Sequence, residues 1–144
     1  MTDRPDYEDV LLPTDGSKRA QRAVEHGLDL AASTEATVHT IYVVDERRYG
    51  ETPALSSSEL AFEQFEDEGE QLTEDVAERA HERGLEATTT VTRGLPHEEI
   101  VRYADANDVD VIVMGRAGAG GAEPHVGSVT DRVLRTTDRP VFPV

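Results

Sequence analysis

Short apolar runs and amphipathic segments alternate along almost the whole of this chain, and that alternation limits the folds open to it. Val10-Leu11-Leu12 runs into Pro13-Thr14-Asp15-Gly16, the pattern of a strand followed by a turn. Ser17 stands at the N-cap of a helix expected from Lys18 to about Ser33, with Ala20, Val24, Gly27, Leu28 and Ala31 on one face. Thr37 to Val44 is β-branched and aromatic and reads as a buried strand. Asp45 to Ser57 reads as a loop, with Ser56 and Glu59 as a capping box for a long helix that ends near Arg83, before Gly84. The inner stripe of that helix is Phe65, Leu72, Val76 and Ala80, with Gly69 between. Ala87 to Thr92 is the next strand. Pro96 opens a helix to about Ala106, with Ile100, Tyr103 and Ala104 facing inward. Val109 to Met114 is the most apolar strand, and Gly115 to Gly127 is a loop with five glycines. Ser128 starts a helix to about Thr137, and Asp138-Arg139-Pro140 turns into a last strand, Val141 to Val144.

Strands alternating with helices in this way predict an α/β domain: a single open five-stranded parallel sheet with helices on both faces, Rossmann-like. A chain of 144 residues makes one such domain, 1–144. Ligands of these sheets bind outside the carboxyl ends of the strands, at the point where strand order reverses. Pro13–Ser17, Val43–Glu46 and Gly115–Gly118 lie at such ends.

The charge of the chain narrows its partners. It carries 30 Asp+Glu against 14 Lys+Arg, a net charge of -16, so nucleic acid and anionic membranes are repelled. The longest apolar run is too short to span a bilayer, and the charged start of the chain has no signal-like apolar stretch, which predicts a cytoplasmic protein. With no Cys there is neither a disulfide nor a thiolate metal site. Lys18 is the sole lysine, and abundant acids with almost no lysine suggest a halophilic cytoplasm, where salt screens self-repulsion.

The strongest local signal is the glycine loop. Gly115, Gly118 and Gly127, with Gly120 and Gly121 between, allow a backbone to approach phosphate closely, and Ser128-Val129 then open a helix whose N–H groups suit an anion. The loop is neither a Walker A sequence nor a G-x-G-x-x-G fingerprint. Arg116 and His125 are its only cationic or potentially cationic side chains. Asp15 reads as a turn acid accepting a backbone N–H rather than as a catalytic base. The five histidines show no metal-ligand spacing, and His39, inside a strand, reads as a packed polar residue. No elbow motif marks a nucleophile, and no residue is assigned a catalytic role.

Four segments together resemble the universal stress protein family: Val10-Leu11-Leu12-Pro13-Thr14-Asp15-Gly16-Ser17, Tyr42-Val43-Val44-Asp45-Glu46, Gly94-Leu95-Pro96-His97-Glu98-Glu99-Ile100, and Met114-Gly115-Arg116-Ala117-Gly118 followed by Gly127-Ser128-Val129. The resemblance implies a parallel sheet of strand order 3-2-1-4-5 and a homodimer through the last strand, here Val141–Val144. Its ATP-binding members show G-2x-G-9x-G-[S/T]. Here residues 119–126 make that spacer eight residues, one shorter. Carried over, Asp15 would contact the adenosine end of a nucleotide and Val43 the adenine. Gly115 and Gly118 would face ribose and phosphates, while Gly127, Ser128 and Val129 would hold phosphates. Pro13 and Met114 would line the pocket. The implied ligand is ATP (or AMP or ADP) with magnesium or manganese, in a dimeric stress-response regulator whose ATP hydrolysis is slow or absent. Two rivals stand beside it: a dimeric interaction protein of the same family that takes no nucleotide, favoured by the short spacer, and a slow phosphohydrolase.

The long helix generates the first prediction. Between Ser58 and Arg83 it carries ten acids against Arg79 and Arg83, a net -8, and Glu66, Glu70, Glu74, Glu78 and Glu82 repeat every fourth residue. Like charges at that spacing cost roughly 0.2–0.5 kcal/mol per pair at low salt, so four pairs sum to about 1–2 kcal/mol. The melting temperature should therefore rise between about 0.05 M and 2 M KCl, and replacing Glu70 and Glu74 with Gln should flatten that rise. A melting temperature indifferent to KCl would show that the ridge is only a solvated face.

Overall fold

In the computed structural model Val10, Leu11 and Leu12 are wholly withdrawn from solvent. The structure describes residues 7–47, 55–116 and 128–144, with backbone only at 55–59. The elements, in chain order, are β1 (Asp9–Pro13), α1 (Lys18–Thr34), β2 (Thr37–Asp45), α2 (Leu55–Glu82), β3 (Ala87–Gly94), α3 (Pro96–Ala106), β4 (Val111–Met114), α4 (Ser128–Thr136) and β5 (Val141–Pro143). The strands form one sheet in the order β3-β2-β1-β4-β5, every neighbouring pair parallel.

Both faces are covered. Val10 and Leu12 point to one side, against Ala23, Val24, Leu28 and Ala31 of α1 and, further along the face, Val76 and Ala80 of α2. Leu11, Ile41 and Ile112 point to the other, among Ile100 and Ala104 of α3 and Val133 of α4. A strand buried on both faces has no need of polar alternation, which is why β1 and β4 read as continuous apolar runs. Ser17 caps α1 by accepting the Ala20 N–H at 3.1 Å.

Some boundaries differ from those read in the sequence. The long helix begins at Leu55, so Ser56 lies inside its first turn and is not its N-cap. Serine costs little there, because first-turn N–H groups lack helical partners in any case. Of the segment read as a loop, Asp45 belongs to β2 and residues 48–54 lie outside the described residues. The fourth strand starts at Val111 rather than Val109. Val109 is spent closing α3: its N–H bonds Ala104 O at 3.0 Å, after Asp108 takes a left-handed φ of 50°. The third strand runs past Thr92 to Gly94, because its pairing with β2 continues to Asp45↔Gly94. On α2, Phe62, Thr73 and Ala77 join the buried stripe, while Phe65 and Leu72 are only half-buried.

His39 is a packed polar residue. Its Nε2 lies 2.8 Å from Asp9 Oδ1, and its Nδ1 lies 2.7 Å from the Tyr103 hydroxyl and 3.1 Å from that of Thr88. With Nε2–H donating to the carboxylate, Nδ1 accepts from a hydroxyl, so both ring nitrogens are satisfied. At the opposite edge, Val144 N–H bonds Met114 O and Ile112 N–H bonds Pro140 O. Val141 and Pro143 therefore turn their backbone groups away from β4. Proline is tolerated on this edge because the N–H it lacks would have pointed outward.

The acidic helix is partly neutralised. Arg79 and Arg83 both reach Glu25 on α1, Arg83 also reaches Asp29, and Arg93 of β3 takes Glu66. Arg93 is thus a third counter-charge for this helix, from a strand distant in sequence. Among the described residues Glu70, Glu74, Glu78 and Glu82 form no ion pair and are exposed.

At Gly69 α2 approaches the Tyr42 side chain of β2 closely. A Cβ there would sit 2.5 Å from Tyr42 Cδ1 and 2.8 Å from Cγ, the base of a buried ring rather than the end of a flexible side chain. Gly69→Ala gains about 1 kcal/mol of helix propensity. The overpacking costs typically 1–3 kcal/mol, so the balance is a loss. Denaturant unfolding in molar KCl should show a lower midpoint for Gly69→Ala, whereas a raised midpoint would mean that propensity outweighs packing here.

Candidate functional site

The order β3-β2-β1-β4-β5 places the reversal of winding between β1 and β4. A cavity of about 430 Å³ opens there, at the carboxyl ends of β1, β2 and β4. That volume lies within the roughly 300–1,000 Å³ of small-molecule sites. Seven residues singled out in the sequence line it together: Pro13 and Asp15 after β1, Val43 on β2, Met114 and Gly115 at the end of β4, and Ser128 and Val129 at the start of α4. Gly118 and Gly127, from the same reading, lie outside the described residues.

The turn after β1 is held by its own side chains. Thr14 is buried, and its N–H bonds Ile41 O at 3.0 Å, fastening the end of β1 to β2. Asp15 is exposed, and its Oδ1 accepts the Ser17 N–H at 2.8 Å, an Asx turn feeding the α1 cap. Gly16 adopts φ +82°, a left-handed conformation that glycine takes without steric cost. Asp15 is therefore a turn former whose carboxylate stands at the cavity rim.

Glycine at 115 is required by close approach. A Cβ on this residue would lie 2.9 Å from the Arg19 carbonyl oxygen, a backbone atom that cannot rotate away. The Gly115 carbonyl accepts from the buried Thr130 hydroxyl at 2.9 Å, and the Arg116 N–H donates to Val144 O at 2.7 Å. The outgoing chain is thus pinned between α1, α4 and the last residue of the chain. Ser128 is exposed at the start of α4, and Val129 is half-buried against the core on that face.

On the β2 side, Asp45 lines the cavity and binds Arg47 through both carboxylate oxygens, Nε to Oδ1 at 2.9 Å and Nη2 to Oδ2 at 2.7 Å. Those hydrogen bonds, with the attraction of opposite charges, push the Arg47 guanidinium above its ordinary value. Both oxygens of Asp45 are engaged with this fork, so it is less available to a ligand than Asp15.

Several lining residues carried no signal in the linear pattern. Phe65 comes from α2 and Pro96 from α3, both far from the glycine loop in sequence. Thr130 and Arg19 lie within helices whose apolar stripes the sequence displays, but period alone does not tell which polar residue borders a cavity. Among the described residues no group of three or more His, Asp or Glu is placed to hold a metal ion. No helix there is long and apolar enough to cross a membrane.

Comparison with known proteins agrees with this architecture. The Universal stress protein family model matches residues 6–144. Universal stress protein MJ0531 of Methanocaldococcus jannaschii is 37% identical over 139 residues, spanning 96% of this chain and 82% of that protein. The solved structure of protein MJ0577 superposes with a TM-score of 0.85 at 28% identity, over 97% of this chain and 96% of that one. Universal stress protein UspA from Lactobacillus plantarum gives a TM-score of 0.86 at 25% identity, over 98% and 99%. With its strand order, its cavity at the β1/β4 reversal and a family match over nearly its full length, this chain belongs to the universal stress protein family.

Proposed function

We propose that this protein binds an adenine nucleotide, ATP foremost with AMP or ADP as alternatives, in the cavity at the ends of β1, β2 and β4, and acts as a dimeric cytoplasmic stress-response regulator. The observation that carries the reading is the convergence of Pro13, Asp15, Val43, Met114, Gly115, Ser128 and Val129 on one cavity from four separated stretches of chain. In this reading the adenine lies against Val43, with Asp15 at the adenosine end and Pro13 and Met114 lining the pocket. Gly115 faces ribose and phosphates, and Ser128 and Val129 hold phosphate through the N–H groups opening α4 and the Ser128 hydroxyl. Gly118 and Gly127 belong to the same proposal as further phosphate contacts. Magnesium or manganese would accompany the triphosphate and offset its charge. Two proteins sharing the fold are described as complexes, one with cAMP at 22% identity and a TM-score of 0.68, one from Archaeoglobus fulgidus with dAMP at 20% and 0.65. Their likeness to this chain is one of fold.

Titration calorimetry in molar KCl tests the reading. Saturable ATP binding is expected, and Ser128→Ala, which removes one hydroxyl, should weaken it by about 0.5–1.5 kcal/mol while the melting curve stays in place. An unmodified protein that takes up no ATP, AMP or ADP would overturn the reading in favour of an interaction protein without nucleotide.

The dimer is proposed through β5. Val141 and Pro143 present outward backbone groups on this edge, and Phe142 is 41% exposed with its ring edge-on to Tyr7 at 6.3 Å. An unpaired edge with an exposed aromatic ring favours a second copy. Light scattering at high salt should give twice the chain mass, and Phe142→Glu should return it to the monomer value.

A further inference from the structure

In a chain with 30 acids and 14 bases, a part-exposed cation on a cavity wall that finds no carboxylate is conspicuous. Arg47, Arg79, Arg83, Arg93, Arg102, Arg135 and Arg139 each pair with at least one Asp or Glu. Lys18, Arg19, Arg22, Arg116 and Arg132 form no ion pair among the described residues; the other four are exposed and away from the cavity lining, whereas Arg19 is part-exposed and lines the same cavity as Asp15 and Asp45. A guanidinium carries five N–H donors and no acceptor, so a partly desolvated one left without a partner is unfavourable.

Its position adds to the anomaly. Arg19 and Lys18, the chain's sole lysine, are the first two residues of α1, whose first turn contains no acid. Cations meet the positive end of the helix dipole there, where a chain this acidic would be expected to place Asp or Glu. The first turns of α3 and α4 hold Glu98, Glu99 and Asp131, and that of α2 holds neither acid nor base. A placement that is unfavourable in the protein alone becomes favourable once an anion lies between the helix start and the cavity.

The geometry also says which end of the cavity this is. Gly115 lets the end of β4 lie directly against Arg19, with a hypothetical Cβ only 2.9 Å from Arg19 O and 3.1 Å from Arg19 Cβ. Arg19 is therefore rooted on the side of Gly115, where the nucleotide reading puts ribose and phosphates, and away from Val43, where it puts the base.

We infer that Arg19 is the side chain by which this cavity selects a phosphorylated ligand, its guanidinium donating hydrogen bonds to a phosphate of a nucleoside phosphate and so discriminating against the bare nucleoside. The inference rests on the nucleotide reading above and adds to it the residue and the chemistry of selection. Guanidinium suits this role better than ammonium, because its planar fork matches two phosphate oxygens at once.

The test is calorimetric titration of ATP, AMP and adenosine into the unmodified protein, Arg19→Gln, Arg19→Lys and Arg22→Gln, at about 0.5 M KCl to limit long-range repulsion. Arg22→Gln removes the same charge from the same helix at an exposed position outside the cavity lining. The unmodified protein should prefer ATP and AMP over adenosine. Arg19→Gln should bind ATP and AMP about tenfold or more weakly with adenosine unchanged, an effect expected of one charged hydrogen bond. Arg19→Lys should recover part of the loss, and Arg22→Gln should lie within about twofold of the unmodified protein. Melting curves of all variants at the same salt report folding. If Arg19→Gln binds ATP like the unmodified protein, or loses ATP and adenosine alike, the selection role falls and the nucleotide reading stands. If the unmodified protein binds none of the three ligands, the nucleotide reading itself falls, and the inference with it.

Discussion

The structure depends on the complete burial of the centre of β1. Val10, Leu11 and Leu12 have no exposed surface, and the strand pairs with β2 on one side and β4 on the other. Each of these side chains is worth roughly 1.5–3 kcal/mol when fully buried. That gain requires helices on both faces, since a parallel strand facing water would forfeit half of it. Placing α1 and α2 on one face and α3 and α4 on the other follows from that need and from right-handed crossovers. The same arrangement makes the chain leave β1 in one direction and return beside it through β4. The cleft between the two exits is thus a by-product of covering β1 twice, and the cavity lies there.

Close approach of backbone then shapes that cleft. Gly69 brings α2 onto the Tyr42 ring, and Gly115 brings the end of β4 onto the first turn of α1. At both places the missing Cβ replaces side-chain bulk with direct contact, and at the second it sets α1 beside the β4 exit. The Thr130 hydroxyl on the Gly115 carbonyl and the Arg116 N–H on Val144 O hold the same corner from α4 and from the end of the chain. Three elements remote in sequence therefore determine where the glycine loop departs.

Charge is distributed to match. Many acids lie on exposed helix faces, where arginines from neighbouring elements neutralise some of them: Arg79 of α2 and Arg83 just beyond its end reach α1, and Arg139 ties the approach to β5 to Asp105 and Asp108. Exposed pairs of this kind contribute roughly 0–1 kcal/mol each, and salt reduces them along with the repulsion. The strongly acidic surface lies on the helices, while Arg19 at the start of α1 lines the cavity.

Much of this architecture is legible in the sequence. The alternation of apolar runs with helical stripes determines five strands and four helices, because burial on two faces and on one stripe leave different periods. The Ser17 cap, the Asp15 turn and the packed His39 can be read locally, since each depends on neighbours in sequence or on burial within a strand. Pro13, Val43, Met114 and Ser128 can be nominated because strand ends and helix starts are visible, and the strand order comes with the family resemblance. Tertiary structure alone decides the rest. That Phe65 and Pro96 border the cavity, that Arg93 serves the acidic helix, and that Arg19 rather than Arg116 stands on the cavity wall depend on contacts between elements dozens of residues apart. The start of β4 is decided in the same way, because the closing of α3 takes the Val109 N–H before the sheet can use it. Period and propensity are properties of short stretches of chain, whereas which polar side chain meets a cavity is a property of how those stretches pack.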